Sequence, residues 1–212
     1  MITLREKLTN ISMALIFVLS LLVGLASLAQ ASGDAISNSK TERAVFAGGC
    51  FWCMEGPFDK LPGVISSRSG YTSGHVKNPT YRQVSAGRTG HTEAVEIVFD
   101  PAKVSFDQLL RVFWKNIDPL DAKGQFCDKG SQYRAGIFYQ NESQQALAED
   151  SLAKLKKSGR FQKPIVTEIT RGSVFYPAED YHQDYYLKNP VRYKYYRFSC
   201  GRDKRLEALW SE

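Results

Sequence analysis

The segment Gly48-Gly49-Cys50-Phe51-Trp52-Cys53 sets a thiol between two glycines and two aromatic residues. It closes the apolar run Ala44-Val45-Phe46-Ala47 and opens a stretch able to continue as a helix. A thiol at a strand-to-helix turn meets unsatisfied backbone N–H groups and the positive end of the helix dipole, both of which favour thiolate. The arrangement predicts a reactive Cys50 nucleophile with an apolar wall, Phe51 and Trp52, beside its sulfur. A buried structural cysteine is the competing reading. The glycine pair before the thiol and Cys53 three residues after it weigh against that.

Glu93 is the second residue with chemical promise. In the run His91–Phe99, Glu93, Val95, Ile97 and Phe99 share one face of a strand, and Thr92, Ala94, Glu96 and Val98 share the other. A carboxyl group in an apolar row is desolvated, which raises its pKa and fits it for general-acid work. The alternative is a strand-end side chain that reaches water. Asp128, Tyr133 and Tyr81, taken singly, read as structural loop and turn residues. His75, His91 and His182 show no ligand spacing and read as satisfied polar side chains.

The elements that must position these groups follow from pattern. Ala44–Ala47, Val64–Tyr71, His91–Phe99, Tyr133–Tyr139 and Ile165–Ile169 read as strands, punctuated by Leu61-Pro62-Gly63 and Asn78-Pro79. Ser105 with Gln108 forms a capping box before Phe106, Leu109, Leu110, Phe113, Trp114 and Ile117, which recur at helical spacing. A second helix is expected over 143–157. Pro57 is expected to kink the helix after Cys50 or delay its start to Gly56. The tyrosine-rich end has weak periodicity, so a short helix over 178–187 followed by an irregular tail is expected. Together these predict an α+β fold, a two-layer sandwich with a ferredoxin-like mixed sheet, packed helices and an irregular C-terminal tail.

The N-terminus carries Arg5 and Lys7, an apolar run Ile11–Leu28 and the small-x-small site Ala29-Gln30-Ala31. This pattern predicts a signal peptide over 1–31 and an exported, periplasmic protein. The run is also long enough for an uncleaved membrane anchor. Cleavage after Ala31 leaves 181 of 212 residues, enough for one domain with a real core. Residues 32–42 are expected to be a disordered lead-in and 43–212 the catalytic domain. The net charge of +6 falls to +5 when Arg5, Glu6 and Lys7 are removed. Basic residues interleave with Tyr193, Tyr195, Tyr196 and Phe198 near the end. In an exported protein they read as a solvated face whose tyrosines cover the core, not as a nucleic-acid surface.

Four cysteines in an oxidising compartment could form two staples, but the spacing separates a close Cys50/Cys53 pair from isolated Cys127 and Cys200. A zinc site needs a second close pair, which residues 127 and 200 do not supply in sequence.

Beyond single residues, Gly49-Cys50-Phe51-Trp52, Pro62-Gly63-Val64, Gly70-Tyr71, Asn78-Pro79-Thr80-Tyr81-Arg82, Gly90-His91-Thr92-Glu93-Ala94-Val95, the run from Asp128 to Arg134, and Ala178-Glu179-Asp180-Tyr181-His182-Gln183 occur in order. With them the chain resembles the A-type peptide methionine sulfoxide reductases over most of its mature length. The resemblance implies that Cys50 is the nucleophile and that Phe51 and Trp52 hold the sulfoxide methyl group. Glu93 would protonate the sulfoxide oxygen, and Tyr81 and Tyr133 would hydrogen-bond it, with Asp128 in support. It also implies the S epimer as substrate, in proteins and as free methionine sulfoxide. A Cys50 sulfenic acid would be resolved as an intramolecular disulfide reduced by a thioredoxin-type dithiol. No metal or organic cofactor is implied, and the protein is expected to act as a monomer without nucleic acid.

The chain departs from that family where glycine is replaced by Cys53 and asparagine by Cys127, and in its basic, tyrosine-rich end with only Cys200. By reach and access, Cys200 is the expected resolving thiol, with Cys53 and Cys127 the other candidates. Two rival readings stand beside this one: an exported thiol-disulfide oxidoreductase using Cys50 and Cys53, and a non-catalytic binder of oxidised proteins.

Overall fold

The structure, a computed structural model, describes residues 41–211. The expected signal peptide and nearly all of the expected lead-in lie outside the described residues. The first strand, β1 (Glu42–Gly48), takes in Glu42, the last residue of that lead-in. It is followed by α1 (Trp52–Asp59), β2 (Val64–Thr72), α2 (Tyr81–Ser85), β3 (Thr92–Phe99) and α3 (Phe106–Lys115). A small hairpin, β4 (Gly124–Gln125) and β5 (Asp128–Lys129), precedes β6 (Ala135–Tyr139), α4 (Glu142–Lys157), β7 (Glu168–Arg171) and β8 (Tyr176–Pro177). Three helices end the chain: α5 (Tyr185–Lys188), α6 (Pro190–Ser199) and α7 (Arg202–Trp210).

The main sheet has the order β7-β6-β1-β3-β2-β8, antiparallel except for the β6–β7 pair. The mixed α+β architecture is as expected. Strand β1 is central because Val45 and Phe46 are apolar on both faces, and only a strand covered on both sides can hold such a run. Phe46 stacks against Phe58 of α1 and Phe106 and Phe113 of α3, with ring centroids 5.2 to 5.8 Å apart. On the other face Val45, Ala47, Ala94 and Phe138 form a smaller cluster under Phe175. The Ser105–Gln108 capping box forms as predicted and starts α3, whose Phe106, Leu109, Leu110, Phe113 and Trp114 are buried.

Two local expectations are corrected. Helix α1 runs unbroken past Pro57 from Trp52, so the proline does not delay its start. It does remove the N–H that would have bonded the Cys53 carbonyl. The C-terminal end is helical, not irregular. Helix α6 buries no residue, so it has no core-facing apolar side of the kind that marks α3. It is held by Tyr196 on Asp128 and by a disulfide at its C-terminus, while Tyr185 of α5, just before it, stacks on Trp52.

Candidate active site

Strand β1 and helix α1 are joined by a turn that only this sequence of small residues fits. Gly49 has φ +82°, and a Cβ there would stand 2.6 Å from Cβ of Gln125. A Cβ on Gly48 would strike Met54 at 2.6 Å. The turn closes with the Cys53 N–H bonding the Cys50 carbonyl at 3.0 Å. The next N–H, that of Phe51, donates to Glu93 Oε2 at 3.1 Å. The backbone donor just after the thiol therefore serves the carboxyl group of β3.

That has a consequence for the thiols. Cys50 is 7% exposed and Cys53 1%. Burial pushes the Cys50 thiol well up, reinforced by its hydrogen bond with Cys53 and by Glu93. The expected thiolate-favouring turn is thus outweighed by desolvation. Cys53 is the thiol drawn down, to about 6, by the hydrogen bond from Cys50 and, against its burial, by the Arg202 and Arg197 guanidiniums. The two sulfurs share a proton, and the pair loses its first proton readily even though Cys50 alone would not.

Around Cys50 lies a cavity of about 70 Å³ lined by Phe51, Trp52, Tyr81, Glu93, Asp128, Tyr133 and Tyr196. The structure so brings together all seven residues singled out for the nucleophile, acid, oxygen-binding and methyl-binding roles. It is not the largest hollow among the described residues. A cleft of about 590 Å³ beside Asp118, Arg160 and Arg205 is larger, but its walls carry no thiol.

Glu93 is 1% exposed. Burial raises its carboxyl to about 8, with the Phe51 N–H opposing the rise and Asp128 and Cys53 adding to it. The alternation in β3 that placed it among Val95, Ile97 and Phe99 is present, and Tyr71 of β2 lies opposite it. Asp128 is also raised by burial, opposed by the Tyr196 hydroxyl, which donates to its Oδ2 at 2.5 Å, and by Arg202 and Lys129. Burial holds Tyr81 up at about 12, and raises Tyr133 and Tyr196 as well. At neutral pH the cavity therefore presents proton donors around a buried sulfur: a neutral carboxylic acid and three phenols.

The aromatic wall is fixed from behind. Trp52 stacks on Tyr185 with centroids 3.7 Å apart and planes 6° from parallel. Its Nε1–H donates to His182 Nδ1 at 3.0 Å. His182 is neutral, its pKa lowered by burial, and its proton then sits on Nε2, which is buried without a partner. Phe51 packs on the same imidazole at 5.0 Å. A histidine read in sequence as a satisfied polar side chain is half satisfied and orients the tryptophan.

The disulfide in the structure holds two of the three candidate resolving thiols and not Cys50. Cys200 is bonded to Cys127, 73 residues away in sequence, and Cys50 and Cys53 are both free. The cysteines isolated in sequence are thus neighbours in space. Cys127, Asp128 and Cys200 also form the one group of potential metal ligands among the described residues. The two sulfurs are consumed in the disulfide, which leaves a single carboxylate in that group.

Sequence reasoning missed Tyr196 and Arg202. Arg202 is 1% exposed, and its Nη2 donates to the carbonyls of Gly48 at 3.0 Å and Asn116 at 2.6 Å. Its guanidinium lies 4.4 Å from the Phe126 ring centroid. In sequence it is one of many basic residues near the end, and nothing local distinguishes it.

Comparison with known proteins bears on this geometry. The family described as "Peptide methionine sulfoxide reductase" matches residues 42–212. The chain is similar to the peptide methionine sulfoxide reductase MsrA of Listeria innocua, 53% identical over 175 residues, spanning 82% of this chain and 99% of that one. The MsrA of Bacillus licheniformis is 53% identical over 171 residues, 81% of this chain and 94% of its own. Among solved structures, methionine sulfoxide reductase A of Corynebacterium diphtheriae superposes with TM-score 0.63 at 36% identity, covering 71% of this chain and 76% of its own. Reduced Mxr1 of Saccharomyces cerevisiae gives 0.66 at 28%, covering 71% and 86%. With the thiol, the carboxyl group and the aromatic wall in one cavity, and with a match that runs from β1 to the end of the chain, this protein belongs to the peptide methionine sulfoxide reductase family.

Proposed function

We propose that the protein reduces the S epimer of methionine sulfoxide, in proteins and as the free amino acid, with Cys50 as nucleophile and without a metal or organic cofactor. The observation that carries this reading is the buried Cys50 thiol in one small cavity with Glu93, a carboxylic acid raised to about 8. Cys50 passes its proton to the Cys53 thiolate, to which it is hydrogen-bonded, and attacks the sulfoxide sulfur. Glu93 gives its proton to the oxygen, while Tyr81 and Tyr133 donate hydrogen bonds to it. Phe51 and Trp52 receive the methyl group. The thioether leaves with two electrons more, and Cys50 remains as sulfenic acid.

Cys53, already hydrogen-bonded to Cys50, then attacks the sulfenic sulfur and expels water, forming a Cys50–Cys53 disulfide. That bond is buried, whereas Cys127 is exposed. Exchange with the Cys127 and Cys200 thiols would carry the disulfide to the surface, where a thioredoxin-type dithiol reduces it. In this reading all four cysteines take part.

The rival thiol-disulfide exchange activity fits less well. Cys50 is 7% exposed and opens onto a cavity of about 70 Å³, which suits a slender thioether better than a protein disulfide. We further propose an exported monomer whose domain over 43–212 carries the reaction, on the strength of Arg5, Lys7, Ile11–Leu28 and Ala29-Gln30-Ala31. Mass spectrometry of the N-terminus of the mature protein tests the cleavage.

The decisive assay compares the two epimers with dithiothreitol, with and without a chelator. Turnover of the S epimer alone, unaffected by the chelator, is expected. Equal rates on both, or loss with the chelator, would overturn the assignment.

A further inference from the structure

Among the described residues eight large apolar or aromatic side chains are exposed, and five of them, Tyr181, Leu187, Val191, Tyr195 and Phe198, lie between positions 181 and 198. Scattered singly such residues need no explanation, but a cluster does. Val191, Tyr195 and Phe198 recur at i, i+4 and i+7 and so form one stripe along α6. They are 82%, 73% and 84% exposed. The sequence suggested that these aromatics cover the core, yet α6 turns them outward and sends Tyr196 to the cavity from its other side.

The charge around the stripe has one sign. Arg192 and Lys194 are exposed and enter no ion pair among the described residues. Helix α6 contains no acidic residue, and the nearby Asp203 is taken by Arg197 at 2.5 Å. The face is therefore apolar and cationic, complementary to a segment that is apolar and acidic.

We propose that this face of α6 is a docking strip for the polypeptide that flanks an oxidised methionine, and that it favours apolar segments carrying Asp or Glu. The proposal rests on the reductase reading given above and names the protein substrate for it. A helix is about 10 Å across and an extended chain advances about 3.3 Å per residue. With the sulfoxide in the cavity beside Tyr196, side chains about three to six positions away reach the outer face of the same helix.

The test uses the full mature chain and three substrates: N-acetylmethionine sulfoxide, a peptide with one central methionine sulfoxide flanked by Leu and Glu, and its counterpart flanked by Ser and Lys. The wild type is expected to favour the Leu/Glu peptide in kcat/KM. In the triple variant Val191→Ser/Tyr195→Ser/Phe198→Ser that value should fall about tenfold or more, the scale of losing one well-buried contact. Arg192→Glu/Lys194→Glu should reverse the preference between the two peptides. N-acetylmethionine sulfoxide should be reduced at the wild-type rate by both variants, which also shows that they are folded.

Equal handling of the peptides by the wild type, or unchanged peptide kinetics in the variants, overturns the proposal. So does a loss confined to binding of phosphatidylglycerol vesicles, which would make the strip a lipid surface. Loss of N-acetylmethionine sulfoxide turnover in the variants would place the strip in support of the cavity and equally refute docking. Failure of the wild type on the N-acetyl substrate would instead refute the reductase reading.

Discussion

Replacing Glu93 with Gln isolates the proton from the shape of the site. The amide retains an oxygen for the Phe51 N–H, now 3.1 Å from the carboxyl group, and still fills the place between Tyr71 and the cavity. What it cannot do is release a proton. With a pKa of about 8, about nine-tenths of Glu93 molecules are protonated at pH 7. A positioned general acid contributes about 10²- to 10⁴-fold, or about 2.7 to 5.4 kcal/mol of barrier.

The same burial that readies the acid costs stability. Its folded pKa is raised above its unfolded one, so the stabilisation of the folded state is fully present below the ordinary value of 4.5. It is lost progressively as pH rises to about 8. At 1.36 kcal/mol per pH unit the loss is of the order of 5 kcal/mol above pH 8.

Glu93→Gln should therefore be slower and, at pH 9, more resistant to unfolding than the wild type. Single-turnover methionine formation, followed by rapid quench from pH 6 to 9, should fall as pH rises through about 8 in the wild type and lose that step in the variant. Denaturant midpoints at pH 5 and pH 9 read the second effect. A variant rate within a few-fold of wild type would refute the acid role. An unchanged stability difference between the two pH values would refute the burial argument.

Cys53→Ser should release about one equivalent of methionine and then stall with Cys50 as sulfenic acid, detectable with a dimedone-type probe; normal turnover with thioredoxin would show that another thiol resolves it. Tyr196→Phe removes the donor to Asp128 Oδ2. Losing this part-buried hydrogen bond should lower turnover about tenfold and move Asp128 further up, which a pH–rate profile would report. Cys127→Ser/Cys200→Ser opens a link spanning 73 residues and should lower unfolding stability by about 4 kcal/mol in denaturant titrations without reductant. It should leave the first turnover intact and slow thioredoxin-supported steady state; equal stability of oxidised wild type and variant would refute the first claim, and equal steady-state rates the second.

The sequence by itself determined what depends on neighbours a few residues apart. The Gly48-Gly49-Cys50 turn, the capping box of Ser105 and Gln108, and the row of Glu93, Val95, Ile97 and Phe99 were legible because strand and helix periods order side chains locally. The other pocket residues became legible through the resemblance. Single-residue reading left Tyr81, Asp128 and Tyr133 structural, because a loop side chain gives no periodic signal of where it points.

Only the tertiary structure decided which thiol is acidic and which cysteines pair. Cys53 is drawn down first by its hydrogen bond with Cys50, and then by Arg202 and Arg197, residues that arrive from the far end of the chain. Cys50 is raised by a burial that the whole fold creates. Cys127 meets Cys200, and Asp128 meets Tyr196, because α6, which buries no side chain, is laid across the hairpin of β4 and β5 by long-range contacts. Desolvation and charge act through space, so their effects on these sulfurs belong to the packed chain and have no local spacing from which to be read.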